Sequence, residues 1–426
     1  MTELQLAKGV KDTPPEEKIV KDKVVSTLTN IFELYGFMPL ETPILERYET
    51  LSAKFAAGEA SDALKEIFKL KDQGDRTLGL RFDLTVPLAR YVAMNLNLKL
   101  PFKRYAVGSV FRDGPIKLGR TREFWQMDID TVGTKSMLAE AEILAMADSV
   151  FKTLNLNVVI KVNNRKLLNG ILEQAGIDQK EEAIIAIDKL NKIGEEGVSK
   201  ELKMRGYSTK QINKVFALIR NNVTLRELNI KIVDETGKEG LAELEELFSY
   251  LKSMNVKSAV FDISMARGLA YYTGTVFEAF LKNGEVTSSL AGGGRYDNMI
   301  GKYLDGGKEV PAVGISFGLV PIIETLKLEK KVESKTNTKV LVIPINTIKE
   351  SLEISQILRN SGIATDFSLG KKGVSKSLQY ADSLGIPYTI IIGEDEINKK
   401  KVLLRDMSSG TEQLLTVDGV VKKLKT

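Results

Sequence analysis

The sequence predicts an α+β protein in which an antiparallel sheet with flanking helices carries a helical insertion and precedes a C-terminal α/β domain. The chain has 426 residues, enough for two or three domains with buried cores. Strand-like segments in residues 1–325 follow one another across loops, a pattern most simply explained by antiparallel pairing. Roughly the last 90 residues alternate strands with helices, which indicates a compact α/β unit.

The first third of the chain predicts a helix, short strands and a second helix. Residues 17–35 have helical periodicity that ends at Gly36. The segment "FMPLETPIL" contains two prolines and predicts a short, broken strand, and "TLGLRF" predicts another before the helix "VPLARYVAMNL". Residues 104–133 predict a strand, a Gly/Pro loop and a second strand, which together form an antiparallel pair.

The rest of the chain predicts the insertion, a return to the sheet and the terminal domain. Residues 165–250 are rich in Lys and Glu and predict inserted helices, after a strand at "NVVIKV". "VFEAFLKNGEVTSSLAGGGRYD" predicts strands, with Asn283-Gly284 as a hairpin signal, and "PAVGISFGL" predicts a strand leading into a helix. A charged linker at residues 326–338 separates the core, residues 1–325, from the α/β domain, residues 339–426.

The composition excludes several kinds of chemistry. The chain has no cysteine and no histidine, so thiolate metal sites, Cys nucleophiles and His general bases are absent. The net charge of +5 is compatible with a nucleic-acid partner without requiring one. No apolar stretch approaches the roughly 20 residues that span a bilayer, and the first residues show no signal-peptide pattern. We therefore expect a cytoplasmic protein without a membrane partner.

The segment "REFWQMDID" predicts a strand with one apolar and one polar face. Because successive side chains in a strand point to opposite faces, Gln126, Asp128 and Asp130 share one face. One interpretation is a solvated sheet face. The other is a pocket floor whose amide and carboxylates receive a polar, cationic ligand.

Basic residues crowd the preceding loop, where Arg112, Lys117, Arg120 and Arg122 follow the first strand of the pair. Guanidinium groups match phosphate in a bidentate manner, so the loop is a candidate polyphosphate site. The alternative is a basic hairpin tip in water.

Two further segments each allow a structural or a functional interpretation. In "RFDLTVPL", Thr85 is a candidate N-cap of the following helix, while Asp83 is a candidate ligand for an ammonium or an imidazole N–H. In "AGGGRYD", the three glycines allow a ligand or another strand to approach the backbone, or else they mark a β-bulge or tight turn. The segment "MARGLAYYTGTVFE" places Arg267 before two tyrosines; if the segment is extended, Arg267 and Tyr271 share a face.

Taken in order, these segments resemble the histidyl-tRNA synthetases, a family of class II aminoacyl-tRNA synthetases. The resemblance runs nearly from end to end, through the following segments: "KGVKDTPPEE", "YGFMPLETPILE", "LRFDLTVPLARYV", "FRDGPIKLGRTREFWQMDID", "ARGLAYYTGTVFE", "AGGGRYDNMIG" and "LRNSGIATDF" with the residues after it. It implies a sheet of class II synthetase type, a homodimer interface at the second segment and an anticodon-binding C-terminal domain.

The resemblance also implies a reaction and its residues. Histidine would be activated with ATP, in the presence of Mg²⁺, to histidyl-adenylate and then transferred to the 3′ end of tRNA(His). Arg112 and Arg267 would hold the α-phosphate as catalytic residues, and Arg120 would help to bind ATP. Histidine would be bound by the following residues: Asp83, Thr85, Gln126, Asp130, Tyr271 and Tyr272. No metal-binding side chain is implied.

Three positions depart from the family pattern. Gly114 stands where an acidic residue is usual, and Ala270 replaces an aspartate before the two tyrosines. Val320 and Pro321 replace the Glu-Arg of the third class II motif, whose arginine stacks on adenine. The alternative function is therefore a synthetase-like regulatory subunit of ATP phosphoribosyltransferase. The C-terminal domain and the matching site residues favour the enzyme, and a sensor of uncharged tRNA would need an effector domain that is not visible.

Overall fold

The computed structural model describes residues 4–53, 62–116, 121–219, 223–267, 271–304, 307–329, 335–370 and 373–425. The chain divides into two compact units, one formed by Met1–Lys11 and Val24–Glu329 and the other by Asp12–Lys23 and Lys330–Thr426. Within the described ranges, no helix is both long enough and apolar enough to cross a bilayer.

An eight-stranded sheet forms the centre of the first unit, in the order β1-β5-β6-β11-β10-β9-β7-β8. Its strands are as follows: β1 Met38–Pro39, β5 Phe102–Phe111, β6 Glu123–Val132, β7 Val158–Asn164, β8 Ala259–Phe261, β9 Thr275–Leu281, β10 Ala291–Arg295 and β11 Ala312–Gly318. The inner pairs are antiparallel, whereas β1–β5 and β7–β8 at the two edges are parallel. The predicted α+β class is confirmed, and the sheet is mixed only at its edges.

Helices and a small second sheet complete this unit. The small sheet contains β2 Leu45–Arg47, β3 Lys69–Lys71 and β4 Thr77–Leu80. The helices around the sheets are α1 Pro15–Leu34, α2 Tyr48–Ser52, α3 Asp62–Lys65, α4 Thr85–Met94, α5 Leu138–Thr153 and α12 Leu319–Leu328. A short 3-10 helix spans Ile300–Tyr303.

The inserted segment is helical, as the Lys- and Glu-rich periodicity predicts. Its helices are α6 Arg165–Ala175, α7 Lys180–Ile187, α8 Leu190–Met204, α9 Thr209–Leu218, α10 Leu225–Lys231 and α11 Glu235–Ser253. Helices α9 and α10 begin at capping boxes, in which Ser208 pairs with Gln211 and Thr224 pairs with Glu227.

The second unit contains a five-stranded sheet in the order β13-β12-β14-β15-β16. Its elements are β12 Val340–Pro344, α13 Ile348–Asn360, β13 Thr365–Phe367, α14 Val374–Ser383, β14 Tyr388–Ile392, α15 Glu394–Asn398, β15 Val402–Asp406, β16 Glu412–Leu415 and α16 Val417–Lys425. The first three strands in sequence are parallel and alternate with helices, as predicted, while β15 and β16 add an antiparallel edge.

One face of the eight-stranded sheet packs on an aromatic core. The ring of Phe317 on β11 lies 5.6 Å from Phe32 of α1 and 5.9 Å from Phe151 of α5. Met127 and Ile129 on the neighbouring β6 are fully buried. Since side chains alternate along a strand, the residues between them point to the opposite face of the sheet.

The connection between β9 and β10 differs from its prediction. The two strands pair in antiparallel fashion, but residues 282–290 separate them, and Asn283-Gly284 lies inside this longer loop. A two-residue turn would require the strands to pair up to the Asn-Gly step. The polar and small residues after Gly284 do not continue the alternating apolar pattern, so the strands part earlier.

Candidate active site

A row of side chains crosses the sheet on the face opposite the aromatic core. Asp128 of β6 pairs with Ser316 of β11, which pairs with Gly292 of β10, which pairs with Glu278 of β9. Residues in register across a sheet lie on the same face. The row therefore brings together residues that are up to 188 positions apart in sequence.

The polar face predicted for β6 is buried and is not a solvated surface. Asp128 and Asp130 have exposed fractions of 4% and 3%, and Gln126 donates from Nε2 to Ser316 Oγ at 3.0 Å. The interpretation as a solvated face is therefore wrong. Buried carboxylates need nearby positive charges or hydrogen-bond donors, so the residues that supply them also belong to the site.

Arg104 of β5 supplies the compensating charge for Asp130. Its Nη2 lies 2.6 Å from Asp130 Oδ2 and also donates to the carbonyl of Leu84 at 3.0 Å. The hydroxyl of Tyr296 donates to Oδ1 of the same carboxylate. Burial raises the pKa of Asp130, while Arg104 and the Tyr296 hydrogen bond oppose that shift. The predicted substrate residue Asp130 thus has a hydrogen bond on Oδ1 and an ion pair on Oδ2, which makes no hydrogen bond.

The negative charge of Asp128 has fewer compensating contacts than that of Asp130. Burial raises the pKa of Asp128 to about 7, with Arg104 opposing the shift and Asp130 adding to it; a hydrogen bond from Ser316 also lowers it. Oδ1 of Asp128 and Oε1 of Gln126 are buried and lack a hydrogen-bond partner among the described residues. Two acceptor atoms in one site therefore remain available to a ligand donor.

We expect the asparagine variant of Asp128 to change how stability depends on pH. The folded-state pKa of about 7 lies above the ordinary value of 3.8, so the contribution of Asp128 to stability is present below about pH 4 and is lost as the pH rises toward 7. Asp128→Asn carries no titrating group and should gain stability relative to the wild type over that range, on the order of a few kcal/mol above pH 7. Urea unfolding followed through Trp125 fluorescence, the only tryptophan in the chain, measures this. Parallel pH curves for the two proteins would contradict it.

Asp83, and not Thr85, caps the helix that follows. Oδ1 of Asp83 accepts from the backbone N–H of Thr85 at 3.2 Å and of Val86 at 2.9 Å, and α4 begins at Thr85 itself. The prediction of Thr85 as the N-cap is wrong, because Thr85 is already inside the helix and the carboxylate of Asp83, two residues earlier, accepts from both amide groups. Asp83 raises the pKa values of both Asp128 and Asp130, which places all three carboxylates near one another.

Arg267 lies over the glycine strand and faces the interior. Its backbone has φ of +41°, an uncommon conformation for a residue with a side chain, so the expected extended segment is wrong at this residue. The guanidinium is 3.7 Å from Glu278 and 5.3 Å from the centre of the Tyr272 ring. Burial by itself lowers the pKa of Arg267, but Tyr272 and Glu278 outweigh it, so the pKa is raised and the side chain stays charged.

The two tyrosines after Arg267 connect it to the carboxylates. The ring centres of Tyr271 and Tyr272 are 4.5 Å apart, and Tyr271 lies edge-on to Tyr296 at 6.5 Å. Burial raises the pKa of Tyr271, Arg267 lowers it, and Asp83 raises it. Tyr271 therefore lies within electrostatic range of both the arginine and the acidic cluster. Ala270, the unusual residue before the tyrosines, lies outside the described residues.

The glycines of β10 allow close approach, and they do not form a bulge. A Cβ at Gly292 would lie 2.4 Å from Nη1 of Arg267, and one at Gly294 would lie 2.9 Å from the ring of Tyr272. Residues 291–294 pair without interruption on both sides, so the bulge interpretation is wrong. Glycine is required here because a side chain would occupy the space that Arg267 and Tyr272 fill.

Only part of the basic loop can be placed. Arg112 donates from Nε to the carbonyl of Phe82 at 3.1 Å, and its guanidinium lies 5.0 Å from the centre of the Phe124 ring. Arg122 pairs with Asp113 at 3.0 Å. Lys117 and the predicted ATP ligand Arg120 lie outside the described residues. Arg112 is thus fixed beside the segment that carries Asp83.

Comparison with known proteins identifies the family. A family profile described as histidyl-tRNA synthetase matches residues 9–322, and one described as an anticodon binding domain matches residues 339–426. A histidine–tRNA ligase of Bacillus cereus is 44% identical over 416 residues, which cover 96% of this chain and 94% of the relative. The chain belongs to the histidyl-tRNA synthetase family.

Solved structures agree with this histidyl-tRNA synthetase assignment. A histidyl-tRNA synthetase from Nostoc sp. PCC 7120 superposes with a TM-score of 0.89 at 32% identity and covers 100% of this chain and 99% of its own. A Bacillus halodurans protein titled "ATP phosphoribosyltransferase regulatory subunit/histidyl-tRNA synthetase" has a TM-score of 0.76 at 24% identity, covering 92% of this chain and 98% of its own. The second likeness shows a shared fold alone.

Sequence reasoning missed several residues that complete this candidate site. They are Arg104, Glu278, Tyr296 and Ser316. A usable signal existed for Arg104, because the register of the β5–β6 pair places it opposite Asp130. No comparable signal existed for Ser316 or Glu278, since their positions follow from pairings between strands far apart in sequence.

Proposed function

We propose that this protein is a histidine–tRNA ligase that activates histidine with ATP and transfers it to tRNA(His). The observation that carries the proposal is the row across the sheet. It joins the charged guanidinium of Arg267, which lies over Gly292, to the buried, incompletely paired carboxylate of Asp128. An amino acid carries a carboxylate and an ammonium group on one carbon, and this face of the sheet offers a guanidinium over β10 and the acidic cluster of Asp83, Asp128 and Asp130 beside it.

Histidine is proposed to bind over β6, with its ring toward the tyrosines. Asp83, Gln126 and Asp130 lie on this side of the sheet, and Tyr271 and Tyr272 form an aromatic wall. Thr85 lies in the first turn of α4, where its backbone N–H donates to the carboxylate of Asp83. Burial favours a defined ligand orientation here, because each polar group of the ligand must find a partner.

In the first step, the carboxylate of histidine attacks the α-phosphorus of ATP, an O–P bond forms, and pyrophosphate leaves. The attacking carboxylate is already ionised near pH 7, so this step needs no protein base. Negative charge builds on the α-phosphate, and Arg267, with Arg112 as a second cation, stabilises it. Positioning and charge stabilisation carry the step in a chain that has no histidine.

In the second step, a ribose hydroxyl at the 3′ end of tRNA attacks the carbonyl carbon of histidyl-adenylate. An ester bond forms, AMP leaves, and the hydroxyl proton is released. Helices α6–α11 and the second unit are proposed to contact the tRNA. Lysine contacts of that kind make binding weaken as salt increases.

Mg²⁺ is proposed to arrive with the nucleotide. This ion is usually held by substrate phosphates, water and one or two carboxylates. Within the described parts of the chain, no group of three acidic side chains is arranged to hold a metal. Glu278, which lies 3.7 Å from Arg267, is proposed as a carboxylate that contacts a nucleotide-bound ion.

A homodimer, a cytoplasmic location and the predicted domain boundaries complete the proposal. Strand β1 is an edge strand, and Met38, Ile44 and Leu45 near it are exposed apolar residues, which suits an interface with a second copy. Residues 1–325 are proposed as the catalytic core, with the insertion at about 165–250. Residues 326–338 would form the linker and 339–426 the anticodon-binding domain.

Histidine-dependent exchange between ATP and labelled pyrophosphate tests the activation step. We expect exchange with histidine and background rates with the other amino acids, because only histidine satisfies both the acidic cluster and the aromatic wall. Aminoacylation of tRNA(His) should then follow with the same selectivity. A folded protein that shows no exchange with any amino acid would contradict the proposal.

The regulatory function remains the second candidate because of the altered third motif. Helix α12 begins at Leu319 and carries Val320 and Pro321 where the family has Glu-Arg. Without that arginine, adenine loses one stacking partner, and ATP binding should be weaker. Histidine binding without exchange, combined with capture of an ATP phosphoribosyltransferase, would favour this candidate.

A further inference from the structure

Asp128 has a buried carboxylate oxygen without a hydrogen-bond donor, and the roles proposed for Asp83, Gln126 and Asp130 do not explain it. Its exposed fraction is 4%, and its Oδ1 has no hydrogen-bond partner among the described residues. By contrast, Asp130 is held by Arg104 and Tyr296, and Oδ1 of Asp83 accepts two helix amides. Oδ2 of Asp130 likewise makes no hydrogen bond, but it lies 2.6 Å from the Arg104 guanidinium, whereas Oδ1 of Asp128 has neither a hydrogen bond nor an ion pair among the described residues.

The register of the sheet indicates which group of a ligand could donate a hydrogen bond to Asp128. Adjacent strands are about 4.8 Å apart, so the two steps from Gly292 through Ser316 to Asp128 span about 10 Å. Arg267 lies over Gly292 at one end of this span. A ligand whose carboxylate faces Arg267 places the ammonium group on its adjacent carbon toward Asp128.

We propose that Asp128 is a further substrate-binding residue, whose Oδ1 accepts an N–H from the α-ammonium group of the amino acid substrate. This inference rests on the proposed function and adds a residue to it. Ser316 positions the carboxylate through its hydrogen bond, and Gln126 holds Ser316 in turn. A buried carboxylate that meets an ammonium forms a charge-assisted hydrogen bond, which is worth more than a neutral one.

Binding at this position should release a proton. With its pKa raised to about 7, Asp128 is about half protonated at pH 7 in the empty site, and an ammonium group favours the ionised form. Through Asp128, histidine entry should therefore release more protons below pH 7 than above it, in addition to any exchange by the imidazole of the ligand. The chain has no histidine of its own, so the only imidazole that titrates in this range belongs to the ligand.

Calorimetric titration in buffers of different ionisation enthalpy measures the release directly. The probes are histidine and 3-(imidazol-4-yl)propionate, which keeps the ring and the carboxylate but lacks the amino group. Both ligands carry the imidazole and exchange its proton, so the signal is their difference: for the wild-type protein we expect histidine to release more protons than the analogue, by an amount that decreases as the pH rises. Equal proton exchange with both ligands would overturn the inference without any variant.

The variant Asp128→Asn keeps the shape and removes the charge. We expect it to bind histidine about 10- to 100-fold more weakly, to bind the analogue as the wild type does, and to lose the extra proton release that histidine shows over the analogue. The matched control is Asp148→Asn, a buried aspartate on α5 that also accepts from a serine hydroxyl, that of Ser258. This control should change neither affinity.

The outcomes separate the two proposals. Unchanged histidine affinity in Asp128→Asn, or an equal loss for both ligands, would overturn the assignment of the ammonium contact and leave the proposed function standing. Failure of the wild type to bind histidine at all would overturn the proposed function, and this inference with it.

Discussion

Replacing Arg267 with alanine should reduce histidine-dependent ATP–pyrophosphate exchange by roughly 10²- to 10³-fold while largely sparing histidine affinity. The guanidinium is enclosed by Glu278, Tyr272 and the carbonyls of Phe277 and Gly293, so it is positioned before any ligand arrives. A charge fixed in this way stabilises the phosphate most strongly as negative charge develops on it. The loss should therefore appear in the rate constant of exchange more than in the KM for histidine.

Two further variants sharpen that test. Arg267→Lys keeps the charge but loses the planar fork, and it should show an intermediate rate. Arg405→Ala in the second unit, where Arg405 pairs with Glu412 at 2.9 Å near the surface, should exchange at the wild-type rate. An Arg267→Ala protein that turns over as fast as the wild type would remove Arg267 from the catalytic residues.

Replacing Arg104 with methionine should produce the largest loss of stability. Arg104 is fully buried and is the cation that opposes the raised pKa values of both Asp128 and Asp130. Its removal leaves buried carboxylates without a counter-charge, which costs about 3–5 kcal/mol. The cost should be greatest near pH 8 and should decrease as the pH falls, because protonation neutralises the acids whose folded pKa values are raised.

Urea unfolding monitored through Trp125 is suited to this measurement, because Trp125 lies on β6 beside the acidic residues and the chain has two units that need not unfold together. The double variant Arg104→Met with Asp130→Asn removes both charges and should be more stable than Arg104→Met alone. If the single variant is as stable as the wild type at pH 8, the ion pair does not hold the site together.

Local patterns were sufficient to predict most elements. The alternation in "REFWQMDID" placed Met127 and Ile129 on the core and Gln126, Asp128 and Asp130 on the other face, as the structure shows. Strand and helix alternation likewise predicted the α/β order of the last unit up to β14. These features depend on side chains within a few residues of one another, so the sequence contains them directly.

The composition of the site depends on contacts that local patterns do not contain. Ser316 and Glu278 join Asp128 only because β9, β10, β11 and β6 pair in one register. The positive φ of Arg267 also depends on surroundings, since Glu278, Tyr272 and the absence of a side chain at Gly292 hold the arginine there. A hydroxyl residue at the start of a helix is a good cap, so the local pattern indicates Thr85, whereas the carboxylate of Asp83 accepts from the helix amides in the fold.

A crystal structure of the protein with a non-hydrolysable histidyl-adenylate analogue tests the central claim most directly. We predict that the oxygens replacing the α-phosphate lie within about 3.5 Å of the Arg267 guanidinium and that the amino group of the histidyl moiety lies within hydrogen-bond distance of Asp128. The imidazole should lie against Tyr271. A ligand bound elsewhere, or a guanidinium turned away from it toward solvent, would contradict the assignment of this sheet face as the site of histidine activation.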